Sequence, residues 1–435
     1  MNFYSIVYNA LFIPLAHLII FFLKMFNPKL KEREENCWQS IDSVRKLNLQ
    51  RSDKTIWFHS ASMGEFEQAK PIIEKLKAKN KNIKIVCSFF SPSGYKNQKN
   101  YEFADAVCYL PFDSKKNVKM FLDLVNPCLV VFVRYEIWRN YLEQIKKRQI
   151  KVMLIDATAP QSKSILNPFF IRGFTRTNYS FFDYIFTVGE KHTVFFKELG
   201  VKSNIKTLSD TRFDRIIEKV SQNQAKPLVP KSIFNEDELV LIAGSSWEED
   251  EKLIFNALRN IELSYKEQLR LIIVPHEPTE EHIQRLQTLF SDTLLFSKLL
   301  EITKKYDISE VRKIVGKNTI IVDSIGKLLG LYSIADFAYI GGGFGAGIHS
   351  VTEPAGYGIP LSCGPKYKVS HDAVNLVKLN TLKIIEGKTD FTKWLEELIS
   401  DENKRDELGK IAKDHINNNA GASDEIVKNV DLLIC

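Results

Sequence analysis

The chain has 435 residues, 60 Lys and Arg against 53 Asp and Glu, 44% hydrophobic residues and ordinary Gly and Pro. This excludes a disordered or collagen-like chain and points to more than one domain. Six cysteines, Cys37, Cys87, Cys108, Cys128, Cys363 and Cys435, stand far apart with no CxxC pair and no His at ligand spacing, which argues against a disulfide framework and a zinc site. Charge is uneven: residues 1–230 carry 36 basic and 21 acidic side chains, and residues 231–435 carry 24 and 32. The first part is expected to attract an anionic surface or substrate, and the second is not.

Phe3 to Leu23 is almost continuously apolar, interrupted by Asn9, Pro14 and His17 and followed by Lys24, Lys29, Lys31 and Arg33. It is just long enough to span a bilayer. With no basic residue before the run and no small-x-small cleavage site, a cleaved signal peptide fits poorly. A membrane-seated helix over residues 1–27, spanning or lying in the interface, is the expectation, with the bulk of the chain on the cytoplasmic side.

Short β-rich runs then alternate with amphipathic helices. Strands are expected at Thr55–Phe58, Ile83–Phe89, Leu129–Val133, Val152–Ile155 and Tyr184–Val188, with helices such as Phe66–Lys79 and Val118–Leu124 between them. A polar, proline-containing linker at Ser221–Lys231 interrupts the pattern, which restarts with Leu239–Ala243, Leu269–Val274, Thr319–Val322 and Phe337–Ile340. This implies two doubly wound parallel-sheet domains, residues 28–225 and 226–435, facing a cleft, with ligands at the carboxyl ends of the strands.

The chemistry should lie in loops that follow strands. His59 to Phe66 joins a strand to a helix, with Gly64 permitting close approach and Glu65 either favouring the helix end or acting as a general base. Arg134-Tyr135-Glu136-Ile137-Trp138 follows the third strand, and Asp210-Thr211-Arg212-Phe213-Asp214 offers a guanidinium to a phosphate or carboxylate, or a salt-bridged turn. Gly341, Gly343 and Ala346 match GxGxx(G/A), but no acidic residue follows about twenty positions on, so a nicotinamide site is rejected in favour of a glycine-rich phosphate loop ahead of a helix bearing Glu353. GxxxxGK(S/T), HExxH and GxSxG are absent, which disfavours a P-loop NTPase, a zinc protease and a typical α/β hydrolase.

The ordered set SASMGEFEQA, SPSGY, YLPFD, RYEIW, DTRFD, AGSSWEEDE, VPHEP, DSIGKLLGLYSIADFAYIGGG and HSVTEPAGYGIPLSCGP resembles the 3-deoxy-D-manno-octulosonic acid (Kdo) transferase family of lipopolysaccharide biosynthesis, in a Bacteroidetes-like form. The resemblance implies a GT-B α/β fold of two Rossmann-like domains and an inverting transfer of Kdo from CMP-Kdo to the lipid A precursor. It further implies residence at the cytoplasmic face of the inner membrane, with no cofactor, no metal and no nucleic-acid partner. Carried over by motif, the general base falls on Glu65, a transition-state carboxylate on Glu136, and a cationic stabiliser on Arg212, where the family has Lys. Arg134 and Arg139 replace the Glu and Pro of the family's ETEIWPN-like motif. For the donor the resemblance implies Pro275 and His276 in place of Pro-Arg, the turn Gly326-Lys327-Leu328, Gly343 in the glycine loop, and His349, Ser350 and Glu353, the last for the ribose. A membrane-associated GT-B enzyme using a UDP-sugar, or a non-catalytic membrane-anchored binding protein, would share the sheet pattern.

Overall fold

The computed structural model describes residues 3–50, 52–134, 137–160 and 169–434. Contacts divide the chain into two units, residues 1–215 with 420–435, and residues 216–419. The first carries β1 (Thr55–Ser60), β2 (Lys84–Phe89), β3 (Ala106–Tyr109), β4 (Leu129–Val133), β5 (Lys151–Ala157), β6 (Tyr184–Thr187) and β7 (Asn204–Thr207), in the order β3-β2-β1-β4-β5-β6-β7. The second carries β8 (Leu239–Ser246), β9 (Leu269–Pro275), β10 (Thr293–Leu295), β11 (Thr319–Ile321), β12 (Phe337–Ile340), β13 (Leu361–Cys363) and β14 (Leu382–Ile384), in the order β10-β11-β9-β8-β12-β13-β14. Every described strand pair is parallel.

These strands form because they are runs of Val, Ile and Phe whose two faces are both covered, as a parallel sheet between helical layers requires. All five residues of β4 are buried, and so are all seven of β9. Weaker strands escaped the sequence pattern: β3, β7, β10, β13 and β14 have three or four residues each, too few to show a period. The expected linker at 221–231 is partly helix, since Arg212–Ala225 is continuous.

The expected domain boundary at 225/226 differs from the contact division, which falls at Arg215/Ile216 and returns residues 420–435 to the first unit. The last helix, Ala422–Ile434, buries Ile426, Val427 and Val430 in the core built by Phe66, Ile73 and the β1, β2 and β4 side chains. Lys75 and Lys79 of the helix Met63–Lys79 hold it by ion pairs to Asp424 at 2.6 Å and Asp431 at 3.0 Å.

In each sheet the first strand lies beside a strand from later in the chain, β1 beside β4 and β8 beside β12, so the strands that follow are laid down on opposite sides of it. The loops leaving the carboxyl ends of those strands diverge, opening a crevice where ligands settle in open α/β sheets.

Candidate active site

At the first switch point β1 runs out at Ser60, and the chain turns into the helix Met63–Lys79. Ser62 caps this helix, its hydroxyl accepting from the Glu65 N–H at 3.4 Å, while the Glu65 carboxylate accepts from the Ala61 N–H at 2.6 Å. That is nearly a reciprocal capping box, and it fixes a buried carboxylate in the positive first turn of the helix. Gly64 makes no close approach, since a Cβ there would meet open space.

Arg134 follows β4 directly, with its backbone left-handed at φ +66° and its N–H donating to the Ile155 carbonyl at 2.8 Å. Glu136 lies outside the described residues. Trp138 packs on Phe90, with ring centroids 5.3 Å apart, and edges His59. Arg139 is fully buried, with its guanidinium among Ser5, Asn178 and Glu143, so it helps to hold the N-terminal helix.

Arg212 is organised by Asp210. The Asp210 carboxylate accepts from the Arg212 N–H at 2.9 Å and from its Nε at 2.9 Å, and also from Gln68 Nε2 at 2.8 Å. Arg134 reaches the same carboxylate at 3.8 Å, so one buried acid gathers two guanidinium groups. Burial pushes the Asp210 carboxyl up, but the Arg212 charge and these hydrogen bonds outweigh it and hold it below the ordinary range. The salt-bridged turn and the free cation were alternatives in the sequence, and the structure combines them: Arg212 is paired, yet its side chain remains 48% exposed.

Gln68 sits one turn beyond Glu65 on the same helix, so the 209–212 turn is fastened directly to the helix that carries the proposed base. Asp156 fastens it from the other side. It occupies a register irregularity at the end of β5, with φ +51°, where it accepts from the Thr211 N–H at 2.8 Å and lies 2.7 Å from the Thr211 hydroxyl. Burial and the Asp210 charge push its carboxyl up to about 8. The sequence signal for Asp156 is faint: it is an acid immediately after the apolar run Val152–Ile155.

The second switch point is furnished differently. β8 also ends in a register irregularity, at Ser245 with φ +54°, and delivers Trp247. Trp247 stacks on His276 with centroids 4.7 Å apart, and His276 stacks on His349 at 4.3 Å. The Trp247 indole N–H donates to His349 Nε2 at 3.3 Å. Burial, and then His276, push the His349 imidazole below its ordinary value, so this ring is neutral near pH 7. Pro275 closes β9 and presents His276 exposed.

Three glycines follow β12 because nothing larger fits. A Cβ on Gly341 would stand 2.3 Å from the Ser245 carbonyl oxygen, and one on Gly343 would stand 2.5 Å from the Gly364 backbone. Asp250 holds the loop by accepting from the Gly342 N–H at 2.8 Å and the Tyr339 hydroxyl at 2.7 Å. The helix bearing Glu353 has only six residues, Thr352–Tyr357, so any phosphate grip rests on the loop amides rather than on a helix dipole. Glu353 is half-buried beside Tyr332 and Tyr357, whose hydroxyls it pushes up after burial has done so. Ser350 is exposed, with its hydroxyl 3.2 Å from that of Thr352. Gly326 turns at φ +79°, followed by Lys327 and Leu328 at the start of a single helical turn, Leu328–Leu331. Among the described residues no group of three or more His, Cys, Asp or Glu side chains is placed to hold a metal ion.

Residues 32–215 match the model of a family described as 3-deoxy-D-manno-octulosonic-acid transferase (kdotransferase). A 3-deoxy-D-manno-octulosonic acid transferase of Chlamydia muridarum is 24% identical over 90% of this chain and 88% of its own, and that of Haemophilus influenzae is 24% identical over 84% of each. The chain is thus similar to Kdo transferases along most of its length. A bifunctional glycosyltransferase/methyltransferase of Fusobacterium nucleatum is 25% identical over 90% of this chain, which spans 60% of that protein. Among solved structures, a UDP-GlcNAc 2-epimerase from Neisseria meningitidis aligns with a TM-score of 0.57 and 13% identity, over 86% of this chain and 99% of that one. Acinetobacter baumannii MurG aligns with 0.51 and 12%, over 87% and 99%. These likenesses establish the GT-B fold.

Proposed function

We propose that the protein is a glycosyltransferase that moves Kdo from CMP-Kdo to the lipid A precursor in lipopolysaccharide biosynthesis. The observation that carries this reading is the family match across the unit that holds both Glu65 and the Asp210-organised Arg212. The ordered motif set is read as that of a Bacteroidetes-like form.

The mechanism follows from charge. A lipid A hydroxyl oxygen attacks the anomeric carbon of Kdo, the bond from that carbon to the phosphate oxygen breaks, and CMP leaves with the electron pair. Glu65 takes the hydroxyl proton, its carboxylate oriented by the hydrogen bond it accepts from the Ala61 N–H. Arg212 stabilises the charge that gathers on the departing phosphate. Its fork is already fixed by Asp210, so little reorganisation is needed at the moment of reaction. In the second unit, His276, His349 and the Gly341–Gly343 loop amides hold the donor phosphate, while Glu353 accepts from the ribose hydroxyls. The turn Gly326-Lys327-Leu328 lies beside the nucleoside, and Pro275 and Ser350 border the same loops. The residue Glu136 keeps its proposed transition-state role by motif alone. The apolar N-terminal helix brings the enzyme to the cytoplasmic face of the inner membrane, where the acceptor resides.

The test is mass spectrometry of products formed from a lipid A precursor with CMP-Kdo or with UDP-sugars. A mass increment of Kdo with CMP-Kdo alone is expected. Transfer from a UDP-sugar instead would install the alternative GT-B reading, and CMP binding without any product would install a binding protein.

A further inference from the structure

Trp247 is held more firmly than a ring that is 39% exposed requires. Its neighbour Ser246 is buried, with its hydroxyl donating to Glu251 at 2.9 Å and its carbonyl accepting from the His276 N–H at 3.0 Å. Glu251 is itself 1% exposed, accepts from Arg285 at 2.8 Å, and has His282 Nε2 2.8 Å from its other oxygen. The Trp247 N–H donates to Asp250 at 3.0 Å, and the same buried carboxylate accepts from the Gly342 N–H at 2.8 Å and the Tyr339 hydroxyl at 2.7 Å. The indole is therefore tied to the end of β9 on one side and to the glycine loop on the other, and it cannot shift without moving both.

That rigidity has a chemical consequence at His349. An indole nitrogen can donate a hydrogen bond but cannot accept one. The contact of Trp247 Nε1 with His349 Nε2 at 3.3 Å therefore makes Nε2 the acceptor, and the proton of the neutral ring sits on Nδ1. Protonating both nitrogens would set two N–H donors against each other, so the contact opposes the imidazolium. The ring lies on the glycine loop: the His349 N–H donates to the Gly341 carbonyl at 3.3 Å, and a Cβ on Gly342 would stand 3.4 Å from its Cδ2. Among the described residues, Nδ1 has no hydrogen-bond partner. The charged groups on the surrounding elements are engaged elsewhere. Asp250 is turned to the Gly342 amide, Glu251 to Arg285 and His282, and Glu353 to Tyr332 and Tyr357, while Lys366 donates to the Gly345 carbonyl at 2.8 Å. His276, stacked at 4.3 Å, is the titratable ring in contact.

We infer that Trp247 is a positioning residue for the donor phosphate: by occupying His349 Nε2 it fixes the neutral tautomer whose Nδ1–H, beside the Gly341–Gly343 amides, donates to an anionic phosphodiester. This rests on the reading of His349 as part of the donor site. Trp247 acts through His349 and through the loop that Asp250 shares with it, and it need not touch the ligand itself.

Two measurements on the full-length protein in detergent micelles test it. Nitrogen-15 NMR of histidine-labelled protein at pH 8, with the His349 signals identified by their loss in His349→Gln, reads the tautomer directly. The parent protein should carry the proton on Nδ1, whereas in Trp247→Phe, which keeps a ring against His276 but has no N–H, the proton should be shared between both nitrogens. A proton on Nε2 in the parent, or the same tautomer in both proteins, would overturn the inference. The second measurement is affinity for the methyl ester of cytidine 5′-monophosphate, a phosphodiester whose single charge does not change between pH 5.5 and pH 8. At pH 8 Trp247→Phe should bind it about fivefold more weakly than the parent, and the gap should close towards pH 5.5, where protonation restores Nδ1–H in the variant. A gap that is equal at both pH values would reveal only lost packing and would overturn the positioning role, as would binding of neither the cytidine ester nor its uridine counterpart. The same closing gap with the uridine ester alone would uphold the inference and instead overturn CMP-Kdo as the donor.

Discussion

Both units have a switch point beside their first strand and an interrupted strand at or near it, β5 at Asp156 next to β4 and β8 at Ser245, yet they furnish the carboxyl ends of their strands with opposite chemistry. In the first unit, Glu65 and Asp210 stand with Arg134 and Arg212, each described charge fixed by a partner or a backbone amide, beside Asp156, whose carboxyl burial pushes up. In the second, three glycines and a ring stack of Trp247, His276 and His349 occupy the equivalent place. Topology puts loops at the same point, but the residues that follow each strand decide what they do. Desolvated charges must be paired to be tolerated, which suits a site that moves a proton and opposes developing charge. A loop without side chains lets a ligand come against the backbone, which suits binding.

The sharpest way to break this comparison is Glu65→Gln, which keeps size and hydrogen bonding but cannot accept the proton. Transfer should fall about 100-fold or more, while CMP affinity, measured by calorimetry, stays as in the parent protein. Loss of CMP binding in that variant would mean the two sets of residues are not separate in role. The converse change is Gly341→Ala. Its Cβ would meet backbone at 2.3 Å, so the second unit should lose about 1–3 kcal/mol of stability, with CMP binding weakened about tenfold or more and the KM for the glycolipid unaffected.

A pH titration sharpens the picture of the first unit. The folded Asp156 carboxyl sits at about 8 against an ordinary 3.8, so the folded protein holds a proton that the unfolded chain releases. Stability from this group is therefore complete below the ordinary value and is lost as pH rises through about 8. Asp156→Asn cannot ionise, and the fall in unfolding midpoint between pH 5 and pH 9 should be smaller in the variant. An equal fall in both proteins would place the titrating group elsewhere. The mildest effect is that of salt: the basic residues of the first part are exposed and screened over about 8–10 Å. Raising ionic strength should increase the apparent KM for the glycolipid several-fold more than that for CMP-Kdo, and an equal rise in both would show that charge asymmetry does not sort the two substrates.

Several candidate positions are legible because they are local. Glu65 falls three residues after Ser62, a spacing that capping alone dictates, and the three glycines after Phe337–Ile340 announce a loop that excludes side chains. Asp210 and Asp156 were not singled out, because an acid in a loop looks alike whether it is solvated or holds two guanidinium groups. The ring stack of Trp247, His276 and His349 joins residues up to 102 positions apart, and no periodicity encodes it. Arg139 looked like a substitution at the acceptor contacts, and only its burial against Ser5, Asn178 and Glu143 shows that it holds the N-terminal helix.

By itself the sequence determined two alternating strand and helix series, the ordered motifs at their strand ends, and an apolar N-terminal helix, since each is written in residues close together along the chain. The tertiary structure decided which distant segments meet. The helix Ala422–Ile434 returns to the first unit, Asp210 gathers Arg134 with Arg212, and polar side chains of the apolar helix find partners on Arg139, Asn140 and Asp113. An amphipathic pattern records that a face is buried, but what covers it depends on where the rest of the chain folds back.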